Sequence, residues 1–304
     1  LSLNGFKRQR QTDASLIRIY FRYICVQNRS MYTEYQPSHL LVPYIDSYWE
    51  FKGNPDYGMR IHILPDGCTD FIFTLGEVAN AVEEGSLIMQ PYRSYFVGPM
   101  TKYSELVTYT ESIHMFGVRF LPCGLSCFTN LPLHEFVNSR VSTNEMKAVF
   151  DDTFIEKLGE QKHVTDRIRV VEEYLLAYLA RHYQPADSHV AMAVNMINHS
   201  KGKRSVRSLM DDVCLCQRHF ERKFKHYTGF TPKEYSRIVK FKNAVELLRT
   251  TTSANLLTTA VDAGYYDLAH FSKEIKSMSG NTPASFLSLT VPEETTLTYI
   301  EPQR

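Results

Sequence analysis

No apolar run in this chain approaches the ~20 residues that a membrane-spanning helix needs, so with 43 % hydrophobic residues it reads as a globular protein with no membrane partner. Neither charge sign dominates: 34 Lys+Arg stand against 33 Asp+Glu, a net charge of +1. The six cysteines (Cys25, Cys68, Cys123, Cys127, Cys214, Cys216) fall at spacings that match no recognised zinc pattern. They read as small buried hydrophobes in a reducing cytoplasm, and no structural metal or cofactor is expected. Histidines do not cluster either. His62 and His114 stand each alone in short apolar runs, whereas a metal-holding site in a small β fold needs grouped histidines with a carboxylate. No secretory leader is expected, because the apolar stretch Leu16 to Val26 is broken by Arg18 and Arg22 and no small-residue cleavage site follows.

What the whole chain lacks in charge, its parts have. Residues Ala186 to Thr290 hold 15 Lys+Arg against 9 Asp+Glu, net +6, and Met31 to Pro185 hold 12 against 20, net −8. Affinity for a phosphate backbone is electrostatic, so a nucleic-acid surface belongs to the C-terminal part. The length, 304 residues, suits two domains or three small ones.

Within the basic part lies a diverged repeat. His219 to Tyr235 (HFERKFKHYTGFTPKEY) and His270 to Phe286 (HFSKEIKSMSGNTPASF) align with an offset of 51 positions. Phe220, Phe224 and Tyr227 in the first copy, and Phe271, Ile275 and Met278 in the second, form one apolar helical stripe each. The opposite stripes, Arg218, Glu221, Arg222 and Lys225 in one and Ala269, Ser272, Lys273 and Lys276 in the other, are polar and cationic. Each helix should end at a glycine (Gly229, Gly280), followed two residues later by Thr-Pro, a cap and first turn for the next helix. Glu234 completes a T-x-x-E capping box with Thr231, which places a helix start at about Pro232. Shorter apolar-periodic segments, Val206 to Val213 and Leu256 to Ala263, precede the two cationic helices across tight joins. In the second join Gly264 permits the turn and Asp267 sits at the start of the next helix. Helix, turn and basic helix is the pattern that places a second helix in the DNA major groove, and here it occurs twice.

These residues resemble the AraC/XylS family of bacterial transcription regulators. The match runs through Leu209, Arg218, Phe220, Arg222, Phe224-Lys225, Gly229, Thr231-Pro232-Lys233, Arg237, Phe241, Ala244, Leu247-Leu248, Ala260, Gly264-Tyr265, Asp267, His270-Phe271, Lys276, Gly280 and Thr282-Pro283. The resemblance implies two helix-turn-helix units held by a linker helix (Thr231 to Arg249) and reading successive major grooves of double-stranded DNA. By position it implies Gln217, Arg218, Glu221, Arg222 and Lys225 as contacts in the first unit, and Leu268, Ala269, Ser272, Lys273 and Lys276 in the second. Arginine and glutamate read guanine and cytosine, whereas leucine and alanine meet a thymine methyl, so the first unit is the stronger reader. RNA polymerase, a small-molecule effector and a homodimer are further partners that the family implies, along with an activator's role. Met210, Cys214, Cys216 and Ile275 depart from the pattern, and the first turn is accordingly less well specified.

From Met31 to about Asn144 the texture changes to short apolar runs such as Asp70 to Leu75, Tyr95 to Val97 and His114 to Phe120, separated by Pro65-Asp66-Gly67, Gly76 and Gly98-Pro99. This predicts a sandwich or small, cupin-like β-barrel. The fold class is therefore α+β. The motifs Ile63-Leu-Pro-Asp66-Gly67-x-x-Asp70, Gly98-Pro99 and Gly117-Val-Arg-Phe120-x-Pro122-x-Gly124 also resemble the β-rich sensor domain of some AraC-type regulators. An effector would then sit in the barrel among Trp49, Phe71, Phe73 and Phe96, although alternating aromatics in strands equally suit a plain core. Asp166 to Tyr183 reads as an amphipathic helix that either packs on the barrel or dimerises.

The expected order is a basic extension (residues 1–30), a sensor domain (31–150), connecting helices (151–187), the DNA-binding domain (188–290) and a tail (291–304). The extension, with six cations against Asp13, is expected to be poorly ordered ahead of a start near Met31, or else a basic arm on DNA. Two alternatives stay open beside a non-catalytic cytoplasmic regulator. One is a cupin-like metal-dependent enzyme. The other is a thiol- or metal-responsive regulator acting through Cys123 and Cys127, or through Cys214 and Cys216 beside the first turn.

Overall fold

A computed structural model describes residues 31–76, 81–83, 89–146, 149–150, 152–213, 215–250, 255–287 and 298–301. The basic extension and the thiols of Cys25 and Cys214 lie outside the described residues.

Strands β1 (Tyr32–Tyr35), β2 (Ile45–Gly53), β3 (Met59–Ile63), β4 (Thr69–Thr74), β5 (Ala81–Glu83), β6 (Ser94–Val97), β7 (Ser104–Thr108), β8 (Ile113–Phe120), β9 (Arg140–Ser142) and β10 (Thr298–Glu301) make two sheets. One has the order β1-β2-β8-β4-β6-β9 and the other β10-β3-β7-β5. The described strands thus form two open layers with free edges, not a ring closed by hydrogen bonds. β10 belongs to the segment expected to be a tail. It pairs antiparallel with β3, Thr298 opposite Ile63 and Glu301 opposite Arg60, and so returns the chain's end to the β-rich half.

Both faces of the larger sheet are apolar, and alternation divides them. Trp49, Phe51, Ile72, Tyr95, Val97 and Met115 point toward the smaller sheet. Tyr48, Phe71, Phe73, Phe96, Phe116, Val118 and Phe120 point the other way, onto α1 (Asp152–Gly159) and α2 (Val164–His182). There Phe71 and Phe73 meet Phe150 edge-on at 5.1 and 5.3 Å, and Phe73 meets Phe154 at 5.7 Å. The apolar stripe of α2 packs on the sheet, with Val171 and Leu175 fully buried. Polar tethers fix it: Arg167 donates to Glu50 at 2.9 Å and to the Gln161 carbonyl at 2.6 Å, and Glu172 accepts from the Ser38 backbone at 2.7 Å. Burial opposes the charge on Glu50, yet the His114 hydrogen bond at 2.8 Å and the Arg167 charge prevail and hold its carboxyl below the ordinary range.

The helical half comprises α3 (Ser188–His199), α4 (Val206–Val213), α5 (Gln217–Thr228), α6 (Pro232–Thr250), α7 (Leu256–Asp262), α8 (Leu268–Ser279) and α9 (Pro283–Leu287). Its core is built on α6, whose Tyr235, Ile238, Phe241, Ala244, Val245 and Leu248 are buried against Phe220 and Phe224 of α5 and Phe271 and Ile275 of α8. Leu64 and Cys123 of the β-rich half belong to the same core.

The two halves meet through the turns singled out in the sequence. Gly67, at φ +89°, leaves room for the Tyr235 ring, which would lie 2.7 Å from any Cβ there. Pro99 closes on Gly229, and the backbone N–H of Tyr103 donates to the Met278 carbonyl at 2.9 Å. Lys223 adds an ion pair to Asp187 at 2.6 Å.

Candidate nucleic-acid interface

The first helix-turn-helix unit is α4 and α5. Leu209 and Val213 anchor α4 in the core, with Met210 half-buried against it, and Phe220 and Phe224 anchor α5. That leaves Gln217, Arg218, Arg222 and Lys225 exposed on one side of α5 and Glu221 half-buried among them. The Gln217 side chain donates to Glu221 at 2.9 Å, one helical turn away, which holds that carboxylate along the helix surface. Gly229 ends the helix at φ +84°, and its N–H caps the Lys225 carbonyl. The start is less well finished. Cys216 occupies the N-cap with extended backbone and makes no side-chain cap hydrogen bond. Cys216→Ser is therefore expected to stabilise the chain by about 0.5–1 kcal/mol by giving an orphan N–H its acceptor. Thermal unfolding checks this, and an unchanged or lowered midpoint would contradict it.

The second unit, α7 and α8, is capped at both starts. Asn255 accepts from the N–H groups of Leu257 and Thr258, and Asp267 accepts from the His270 N–H at 2.7 Å. Gly264, at φ +87°, makes the turn between them. Ala269, Lys273 and Lys276 are exposed, Leu268 is 37 % exposed and Ser272 half-buried. Ile275, which departs from the family pattern, fills the core with no exposure. Tyr266, 93 % exposed in the turn just before α8, was not in the predicted set.

Between the units runs α6. The Thr231 and Glu234 box that starts it is formed in both directions: the Thr231 N–H donates to Glu234 at 2.7 Å and the Glu234 N–H to Thr231 at 3.1 Å. Arg237 of α6 is ion-paired with Glu274 of α8, and Lys240 lies 5.5 Å over the Tyr265 ring and donates to the Gly264 carbonyl at 3.3 Å. Lys203, ahead of α4, reaches the Asp262 carbonyl of α7 at 2.7 Å. These contacts line a groove of about 420 Å³ between the two units, where Lys203, Arg204, Lys233, Arg237 and Lys240 face a single carboxylate, Glu274. None of the five cations was in the predicted set. Two signals carry them: the run Lys201-Gly-Lys-Arg204, and Lys233, Arg237 and Lys240 at i, i+4 and i+7 on one helix face.

The aromatics proposed for an effector do not share a site. Trp49 borders the space between the sheets, with Phe51, Ile72, Met115, Asp70 and Arg119. Phe71, Phe73 and Phe96 lie on the opposite face, fully buried under α1 and α2, because adjacent strand residues point to opposite sides. Among the described residues, the cavity that Trp49 borders between the sheets measures about 40 Å³. At its end Arg119, 4 % exposed, donates to Asp70 at 3.2 Å and lies 3.4 Å from Glu34 and 3.6 Å from Asp66. The Trp49 indole donates to Asp70 at 2.7 Å and lies flat on Gly117, where a Cβ would come within 1.9 Å of the ring.

Cys123 and Cys127 are poorly suited to sensing. Both are buried around a single 3-10 turn, Gly124–Cys127, and burial pushes both thiols up, which disfavours the reactive thiolate. Cys216 is exposed. Among the described residues no group of three His, Cys, Asp or Glu side chains stands close enough to hold a metal, and no helix is long and apolar enough to cross a membrane. His114 is engaged by Glu50, and His62 stacks on Tyr103 at 5.7 Å.

Comparison with known proteins separates the two halves. Residues 33–142 match a domain family of unknown function (DUF6597), and residues 209–288 match a helix-turn-helix domain family. Similar solved structures include ToxT from Vibrio cholerae, at 10 % identity over 86 % of this chain and 98 % of that one, with a TM-score of 0.43. Over the helical half they include the C-terminal domain of AraT, a response regulator from Geobacillus stearothermophilus (20 % identity, 36 % and 93 % covered, TM-score 0.32). A probable AraC family transcriptional regulator from Rhodopseudomonas palustris is similar over the same half (20 % identity, 35 % and 100 % covered, TM-score 0.32). No curated protein matches the chain. The helix-turn-helix match spans both repeat units, and those units carry the ordered motif residues on capped, correctly exposed helices. The chain thus carries a helix-turn-helix, DNA-binding domain of the kind that the AraC/XylS resemblance implies.

Proposed function

We propose that the protein is a sequence-specific regulator without catalytic activity of its own, acting at promoters in the cytoplasm. Helices α5 and α8 enter successive major grooves on one face of the duplex, and the β-rich half senses a small effector. The observation that carries this reading is the pairing of two exposed polar helix faces across one cationic groove. In this reading Arg218 and Glu221 of α5, and Leu268 and Ala269 of α8, meet base edges near the helix N-termini. The groove cations Lys203, Lys233 and Arg237 follow the phosphates between the two major grooves, and Tyr266 packs on the backbone at the second.

Titration of the full chain against duplex DNA at a series of salt concentrations tests the reading. With about 6–10 phosphates neutralised, affinity is expected to fall roughly 10³- to 10⁵-fold between 50 and 200 mM salt. Lys225→Ala and Lys276→Ala, near the helix ends, should each weaken all sequences alike and lower the salt slope by about one. A chain that binds no duplex at low salt, or binds without salt dependence, would contradict it.

A further inference from the structure

At the start of α8 the polar side chains are already engaged. Asp267 turns its carboxylate back onto the helix, accepting from the His270 N–H at 2.7 Å, and so is not free to accept from a cytosine amino group. The His270 imidazole lies edge-on against the Tyr265 ring at 5.4 Å and lines the groove between the units, as does Glu274, which is held by Arg237. What the first turn offers outward is hydrocarbon: Leu268, 37 % exposed, and Ala269, also exposed. Just ahead of the cap, Tyr266 is 93 % exposed. The start of α5 differs in kind. It carries Gln217 and Arg218, and Gln217 braces Glu221 at 2.9 Å, so hydrogen-bonding groups stand at each of those positions.

Apolar side chains left in water beside a cationic groove gain by meeting an apolar group on the duplex that the groove attracts. In the major groove a base pair shows one such group, the methyl on C5 of thymine. We propose that the first turn of α8 reads C5 methyl groups, so that its half-site is recognised by methylation at C5 and not by the hydrogen-bonding edge of the base. This rests on the regulator reading, in which α8 enters a major groove. The distinction has chemical consequences. Uracil presents the hydrogen-bonding edge of thymine without the methyl, and 5-methylcytosine presents the methyl on a cytosine edge. A methyl reader refuses the first and accepts the second, whereas a hydrogen-bond reader does the reverse. Methylation of a cytosine at C5 in that half-site then strengthens binding without any change of sequence.

The test is a fluorescence-anisotropy titration of the full chain against a duplex selected for tight binding, with thymines replaced by uracil one at a time along both half-sites. Under the start of α8 each lost methyl should weaken binding by about fourfold, the worth of one buried hydrocarbon unit. Under α5, the half-site whose preference Arg218→Ala relaxes, uracil should change affinity by less than about twofold, because contacts there are hydrogen bonds to base edges. At the sensitive thymine, replacing the T·A pair by C·G should weaken binding, and 5-methylcytosine should recover about fourfold of the loss. Leu268→Gln combined with Ala269→Ser, both at exposed positions, should abolish the difference between thymine and uracil. Leu268→Met, which keeps the hydrocarbon, should retain it. Affinity indifferent to uracil under α8, a uracil penalty that the double variant keeps, or equal binding of cytosine and 5-methylcytosine overturns methyl reading. So does a selected half-site with no thymine under the start of α8. All of these outcomes leave DNA binding intact, whereas a chain that binds no duplex at low salt refutes the regulator reading and methyl reading with it, so the two failures are told apart.

Discussion

Arg119→Met should lower folding stability by about 3–5 kcal/mol, the usual result of removing one partner from a buried ion pair. The arginine is 4 % exposed and stands among Asp70, Asp66 and Glu34, with Asp70 also accepting from the Trp49 indole. Methionine fills much of the same volume, so the loss comes from charge. Burial already pushes the Asp70 carboxyl up against the opposing pull of Arg119, and without that pull the carboxylates repel one another in a sheltered place. Urea denaturation measures the effect, with the midpoint falling and the slope unchanged. A loss below about 1 kcal/mol, the usual worth of a surface pair, would show the cluster to be solvated instead.

Arg218→Ala should weaken binding to a preferred duplex by about 1–3 kcal/mol, the worth of one bidentate base contact, and relax sequence preference at a single base pair. Arg218 stands exposed in the first turn of α5, where a groove-inserted helix reaches base edges. Near the start of α8 the equivalent surface is Leu268 and Ala269, which can meet only a thymine methyl. The half-site under α8 should therefore tolerate substitutions that the half-site under α5 does not. A base-by-base scan of duplex variants decides this. Equal weakening on every sequence would place Arg218 on a phosphate, and a more stringent α8 half-site would reverse the assignment of the two helices.

The helical half was legible in the sequence because its signals are local. Val206 to Val213 and the Thr231 and Glu234 box lie where periodicity and capping chemistry place them, since a cap acts within three residues of itself. The faces of the larger sheet were not legible in the same way. Alternation separates Trp49 from Phe71, Phe73 and Phe96 only once each strand's facing is known, and with apolar cores on both sides the central strands carry apolar residues at successive positions. The glycines and prolines of the β-rich motifs were visible but their reasons were not. Gly117 accommodates Trp49, Gly98 a close approach by the Phe136 carbonyl, and Gly67 the Tyr235 ring from the other half of the molecule. Asp66, Asp70 and Arg119, scattered over two of those motifs, converge on one buried cluster. Such partners are distant in the chain, and nothing in residue spacing announces them.

The central claim is that two units read DNA together, and hydroxyl-radical footprinting of the full chain on a duplex selected for tight binding tests it most directly. Two protected patches about one helical turn apart, roughly 10 base pairs, on one face of the duplex are predicted, with Arg218→Ala weakening the first patch. A single patch, or uniform protection along the duplex, would contradict paired reading by α5 and α8.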